Sequence, residues 1–156
     1  MLYYAQAVEP TMLPAINEIS GSQASPTEKT LRACKMLMDY AATYPTAIIR
    51  YHASNMALHI DSDTAYLVLP NARSRYAGHY FLSNYPTPLP SNPSPKQNRP
   101  ILTICKTIKG VMSSAAEAET GGVYGNAQEA IACRISLRAL GHPQQATPIK
   151  NRQFYL

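Results

Sequence analysis

The stretch VMSSAAEAETGGVYGNAQEA, residues 111–130, decides how this chain is read. Ser113 and Ser114 stand ahead of Glu117 and Glu119, and a run of small and apolar residues follows. A serine followed by acids opens a helix, because serine caps free amides and carboxylates suit the positive helix start. The spacing predicts a helix from about Ser113 to Leu140, interrupted at Gly121, Gly122 and Gly125, and stopped by Gly141-His142-Pro143. Positions two apart do not share a helix face, so only one of Glu117 and Glu119 can point at a given site.

Outward from this helix, the N-terminal side predicts strands. AIIRYHA (47–53) and MALHIDSD (56–63) read as a hairpin or two short extended runs. In the second, Met56, Leu58 and Ile60 alternate with Ala57, His59 and Asp61. Asp61 and Asp63 then close that strand on one face. YAGHYFLS (76–83) and ILTICK (101–106) read as further strands. Between them, residues 84–100 hold six prolines and no apolar period, which predicts an exposed proline-rich loop. ATPI, after the long helix, starts one more strand.

Residues 1–46 read as a helical segment. Leu2, Ala5, Ala7, Leu13, Ile16 and Ile19 fit one or two short helices broken by Pro10 and Pro14. Ser25 or Thr27 can cap the next helix, with Pro26 at a first helical position. Leu31, Cys34, Leu37, Met38 and Ala41 repeat at three and four up to Thr43, so that helix is amphipathic, and Tyr44-Pro45 ends it. The expected class is α/β (α+β), with helices packed on a mixed sheet.

Composition narrows the function. The 156 residues carry a net charge of +5 with 46% hydrophobic and 15% charged residues. A basic balance admits nucleic acid as a partner. Three widely spaced cysteines give neither a zinc spacing nor a disulfide framework, and point to reduced thiols in a cytosolic or nuclear protein. No signal peptide is read at MLYYAQAVEPTML and no apolar run reaches a membrane span, so no membrane partner is expected. Arg73, Arg75, Lys106 and Lys109 can contact phosphates, and solvated basic loops explain them equally well. The eleven tyrosines can stack on bases or pack edges and core. The four histidines have no paired ligand spacing, and GGVYG is not a phosphate loop.

The acids carry the chemistry. Strand aspartates facing a helix glutamate can hold hard cations through oxygen ligands, and two such cations can align a water on a phosphodiester. The plain alternative is equally physical: acids in a first helical turn complement the dipole, and aspartates form turns.

The order of HIDSDTAYL, ARSRYAGHYFLS, MSSAAEAE and a helix ending in LGHP resembles the ribonuclease H region of copia-type retrotransposon polyproteins. TEKTLRACKMLMDYAATYP resembles the connection between their reverse transcriptase and ribonuclease H portions. The resemblance covers about residues 1–150, through Asp63, Thr64 and Ala65; Arg73, Ser74 and Gly78; and Ser113, Ser114, Glu117 and Glu119. It implies a helical connection at 1–46 and a partial ribonuclease H-like domain at 47–156. It implies hydrolysis of the RNA strand of RNA–DNA hybrids with two Mg2+ ions. Asp63 and Glu119 would be catalytic and metal ligands, with Asp61 and Glu117 weaker candidates.

The chain departs from that pattern after Pro148-Ile149. The family has a third acid there; this chain has Arg152 or, by a shifted alignment, Asn151. Arginine accepts nothing and cannot replace a carboxylate. The resemblance therefore predicts a piece of a transposable-element polyprotein, incomplete at its C-terminus, without the third and fourth acidic ligands and without catalysis. A non-catalytic nucleic-acid-binding relic or interaction module is the alternative.

Overall fold

The computed structural model describes residues 1–85 and 96–151. The chain divides into two compact units, Met1–Arg50 and Tyr51–Leu156.

The first unit is helical. α1 spans Leu2–Ala7, a 3-10 turn spans Pro10–Met12, α2 spans Leu13–Gly21 and α3 spans Glu28–Thr43. Pro10 and Pro14 each sit in a first turn, where a missing N–H costs nothing. Thr27 caps α3: its hydroxyl accepts from the Thr30 amide, and the Thr30 hydroxyl accepts from the Thr27 amide. Pro26 thus lies outside the helix rather than at its first position. Ala5, Met12, Leu13 and Ile16 are buried. No residue of α3 is, and Leu31 is 72% exposed.

The second unit is a four-stranded mixed sheet with one long helix against it. β1 is Ala57–Leu69, β2 is Arg73–Ser83, β3 is Pro100–Thr107, α4 is Ala115–Ala139 and β4 is Ile149–Asn151. The sheet order is β3-β2-β1-β4. β1–β2 and β2–β3 are antiparallel, and β4 runs parallel to β1.

Three strand expectations change. Residues 47–53 form no strand. Within this segment the His52 amide donates to Asn98 Oδ1 at 3.0 Å and the His52 carbonyl accepts from Asn98 Nδ2, which also donates to the Leu82 carbonyl. The rest of the segment is exposed or half-buried, where water can satisfy the backbone without a ladder. Second, β1 does not end at Asp63; it runs to Leu69 and turns back at once into β2. Asn71 and Ala72 have φ of 61° and 52°, which makes that turn tight. Leu67, at φ 55°, forms an irregularity in the strand, and its amide donates to Ser74 Oγ. Third, the proline-rich loop is not wholly exposed. Its tip, 86–95, lies outside the described residues, but Asn98 is buried and Pro100 opens β3.

α4 is continuous over 25 residues, without the interruption expected at its glycines. The glycines serve close packing. A Cβ on Gly122 would fall 2.2 Å from Thr64 Oγ1, and one on Gly125 would fall 2.7 Å from the Tyr76 ring. Their absence lets helix and sheet approach, and this packing offsets the weak helix propensity of glycine. Leu58, Ile60, Tyr80 and Ile104 from the strands and Ala130 and Leu137 from α4 form the core. Ahead of β4, the Gln144 side chain bridges the edge of β1, accepting from the Leu58 amide and donating to the Met56 carbonyl. Arg134 holds that return segment through Thr147 and the Gln144 carbonyl.

Candidate nucleic-acid interface and acidic seam

The strand pleat sorts the candidate residues. Leu58 and Ile60 enter the core against α4, Ser62 bonds Asn126, and Thr64 faces Gly122. The odd residues His59, Asp61 and Asp63 therefore point to the opposite face. Asp61 is 2% exposed; Gln97 Nε2 donates to its Oδ2 at 3.1 Å, and its cross-strand neighbours are His79 and Lys150. Asp63 lies nearer the open end, half-buried, and its Oδ1 accepts from the Thr64 amide. Both aspartates are thus inside a long strand rather than at its end.

The two glutamates part at the start of α4. Ser114 caps the helix by accepting from the Glu117 amide at 3.1 Å. Glu117 turns back, and its Oε2 accepts from the Ser113 amide at 2.6 Å and from the Ser113 hydroxyl. The Ser113 donors, hydroxyl first, hold the Glu117 carboxyl below its ordinary range. Glu119, two residues on, reaches a different partner: its Oε2 accepts from Asn151 Nδ2 at 3.0 Å.

That contact locates a seam. Asn151 lies beside Ser62 in the parallel register, and Ser62 is the chain neighbour of Asp63. The start of α4, the middle of β1 and the end of β4 therefore meet at one place. Asp63 is on one side of the β1 backbone and the Glu119–Asn151 pair on the other.

The expected pairing of Asp63 with Glu119 is therefore not met: a magnesium ion is held by one or two carboxylates with water and phosphate oxygens, and these two face opposite sides of the sheet. A pair of ions needs more. Among the described residues, no three His, Cys, Asp or Glu side chains come together as a metal site. At the seam the group shared with Glu119 is an amide, which donates through nitrogen where a third carboxylate would accept a cation. Arg152 lies outside the described residues.

The basic candidates also divide. Arg73 and Arg75 open β2, Arg73 exposed and Arg75 half-buried, and Lys109 is exposed just after β3. Lys106 is on the α4 side and pairs with Glu129; this bond raises its pKa. An ammonium so engaged is a poorer phosphate ligand than its neighbours.

Several residues that build the site went unread in the sequence. Asn126 is fully buried: its Oδ1 accepts from Tyr80 Oη at 2.9 Å, and its Nδ2 donates to Ser62 Oγ at 2.8 Å and to the Ala77 carbonyl at 3.0 Å. It bolts α4 to β1 and β2. A visible signal existed, since Ala118, Gly122, Asn126 and Ala130 recur every fourth residue as one buried ridge. His59 is buried on the far face, stacked on Phe81, and its Nε2 donates to the Asn84 carbonyl. Burial lowers its pKa.

Among the described residues, no helix is long and apolar enough to cross a membrane. No family model, curated protein or solved structure matches this chain.

Proposed function

We propose that residues 47–156 are a ribonuclease H-like region of a copia-type retroelement polyprotein, that 1–46 are its connection segment, and that the region grips RNA–DNA hybrids with weak or no cleavage. One observation carries this reading. The Glu119–Asn151 bond puts the SSAAEAE helix start beside β4, and β4 lies in register beside Ser62, next to Asp63. These are the segments whose order carries the family resemblance. The succession of three strands, the helix and a fourth strand is also the succession that the resemblance implies. Hybrid contacts fall to Arg73, Arg75 and Lys109 more than to Lys106. Asp63 and Glu119 lie on opposite faces of β1, so one magnesium ion cannot bridge them, which favours weak or absent cleavage.

The non-catalytic alternative has its own support. The Asn151 amide, which by the shifted alignment stands where the family carries an acid, occupies a lone pair of Glu119 that a cation would need. An end-labelled RNA–DNA hybrid tests both readings in Mg2+ and then Mn2+, with Asp63→Asn as control and binding measured across salt. Salt-dependent binding with cleavage lost in the variant supports a working enzyme. Binding without cleavage supports the relic. Absence of binding at low salt rejects the nucleic-acid reading altogether.

A further inference from the structure

The face of α4 turned away from the sheet carries three large exposed apolar side chains, with Gln128 among them donating to the Tyr124 hydroxyl. Ala118, Gly122, Asn126, Ala130 and Leu137 are buried on the inner side. On the outer side Tyr124, Ile131 and Ile135 are 64%, 58% and 65% exposed. At the helical repeat of about 100° per residue, Glu117, Thr120, Tyr124, Ile131, Ile135 and Arg138 fall within one sector about 100° wide. No charge interrupts that sector between Glu117 in the first turn and Arg138 in the last. A solvated helix face would carry charges there.

The sector is also its own complement. Taken antiparallel about a point between Ala127 and Gln128, Tyr124 meets Ile131 of a second helix and Thr120 meets Ile135. The same operation brings Glu117 against Arg138, twice, at the two ends, with Ser113 on the glutamate's Oε2 and its Oε1 left for the arginine. A self-complementary patch of this kind suits a two-fold dimer, in which each contact occurs in duplicate. A near-antiparallel crossing keeps two helices of this length in contact throughout. The buried area would be about 1,000 Å2, the low end for specific complexes, so a weak dimer is expected.

We infer that the outer face of α4 is the docking surface for a second copy of this chain, packed antiparallel through Tyr124, Ile131 and Ile135 and closed by reciprocal Glu117–Arg138 pairs. This inference is independent of any action on nucleic acid.

The test is sedimentation equilibrium of the full chain from about 1 µM to about 1 mM, a range that suits a weak dimer. A monomer–dimer equilibrium is expected. Ile131→Lys should weaken it by at least about tenfold, because the substitution is felt twice per dimer. Circular dichroism should remain unchanged, since Ile131 touches solvent rather than core. Arg138→Glu and Glu117→Arg should each weaken self-association. An equimolar mixture of the two variants should dimerise again, because the hetero-pair restores both opposite-charge contacts. A chain that stays monomeric throughout overturns the inference. So does a dimer indifferent to Ile131→Lys, or a mixture of charge variants no tighter than either alone. The mixing arm reads pairing alone, so it stands even if Glu117→Arg loosens the helix start.

Discussion

α3 and α4 are the two long helices, and they invert what their sequences promise. α3 has a regular apolar repeat, a good cap and no glycine, yet buries none of its residues. α4 has three glycines and a shallow contrast between its faces, yet runs 25 residues and supplies one wall of the core. The contrast teaches that helical periodicity reports a capacity to bury a face. Whether the face is buried depends on a partner of matching shape. α4 has that partner because Gly122 and Gly125 leave room for Thr64 and Tyr76. α3 rests more on local terms, namely its cap and its own propensity.

The sharpest way to break the comparison is at Asn126. Asn126→Ala takes the donor from buried Ser62 Oγ and leaves Tyr80 Oη only the residue-126 carbonyl, and should cost about 2 kcal/mol in urea unfolding of the full chain. A loss under about 1 kcal/mol would mean that water replaces the side chain and that small-residue packing alone holds α4. Next comes Gly122→Ala. Its Cβ meets Thr64 Oγ1, and overpacking there should cost about 2 kcal/mol despite the better helix former. If the variant is instead more stable, the close approach of helix and sheet is not what the glycine provides.

On the α3 side the effects shrink. Thr27→Ala removes the capping pair and should lower the opening free energy of α3 amides in hydrogen exchange by about 1 kcal/mol. Leu31→Ala should change that value by less than about 0.5 kcal/mol, because the side chain is 72% exposed. A larger loss at Leu31 would show that the apolar face of α3 is covered in solution.

The smallest effect sharpens the two helix starts by pH. The Glu117 carboxyl titrates lower in the folded chain than in the unfolded one, so its contribution is present above the unfolded value. That contribution is lost as pH falls through the folded value. A carbon-detected titration should place Glu117 below ordinary glutamates, and Ser113→Ala should move it back up. No movement would mean that the Ser113 bonds are not kept in solution.

The sequence made some elements legible for clear reasons. Alternation fixed β1 around Leu58 and Ile60, and Thr27 marked the start of α3. Pro148-Ile149 marked a last strand. What it hid was non-local. Residues 47–53 have strand composition, but Asn98, far along the chain, takes both backbone groups of His52 and so replaces a ladder there. Asp63 looked like a strand end because acids often sit there, while the chain continues to a turn at Asn71 and Ala72. The glycines of α4 looked like breaks because a helix in isolation would fray at them. At the seam, the acids were visible and their geometry was not: only the register of β4 shows that Glu119 is bonded to Asn151 beside Ser62.

One feature of the sheet bears on how the chain survives at high concentration. Among the described residues β3 is an outer strand, with no further strand paired along its other side. It begins with Pro100, which offers no N–H to a strand from another molecule, and it carries Lys106 among Ile101, Leu102, Ile104 and Cys105. An ion pair on an otherwise sticky edge discourages fibrous stacking, because each added copy would have to desolvate another pair of charges. The bond of Lys106 to Glu129 anchors the side chain at that edge. The lysine that serves poorly as a phosphate ligand thus protects solubility, and Lys106→Ile should shorten the lag before aggregation while leaving the fold in place.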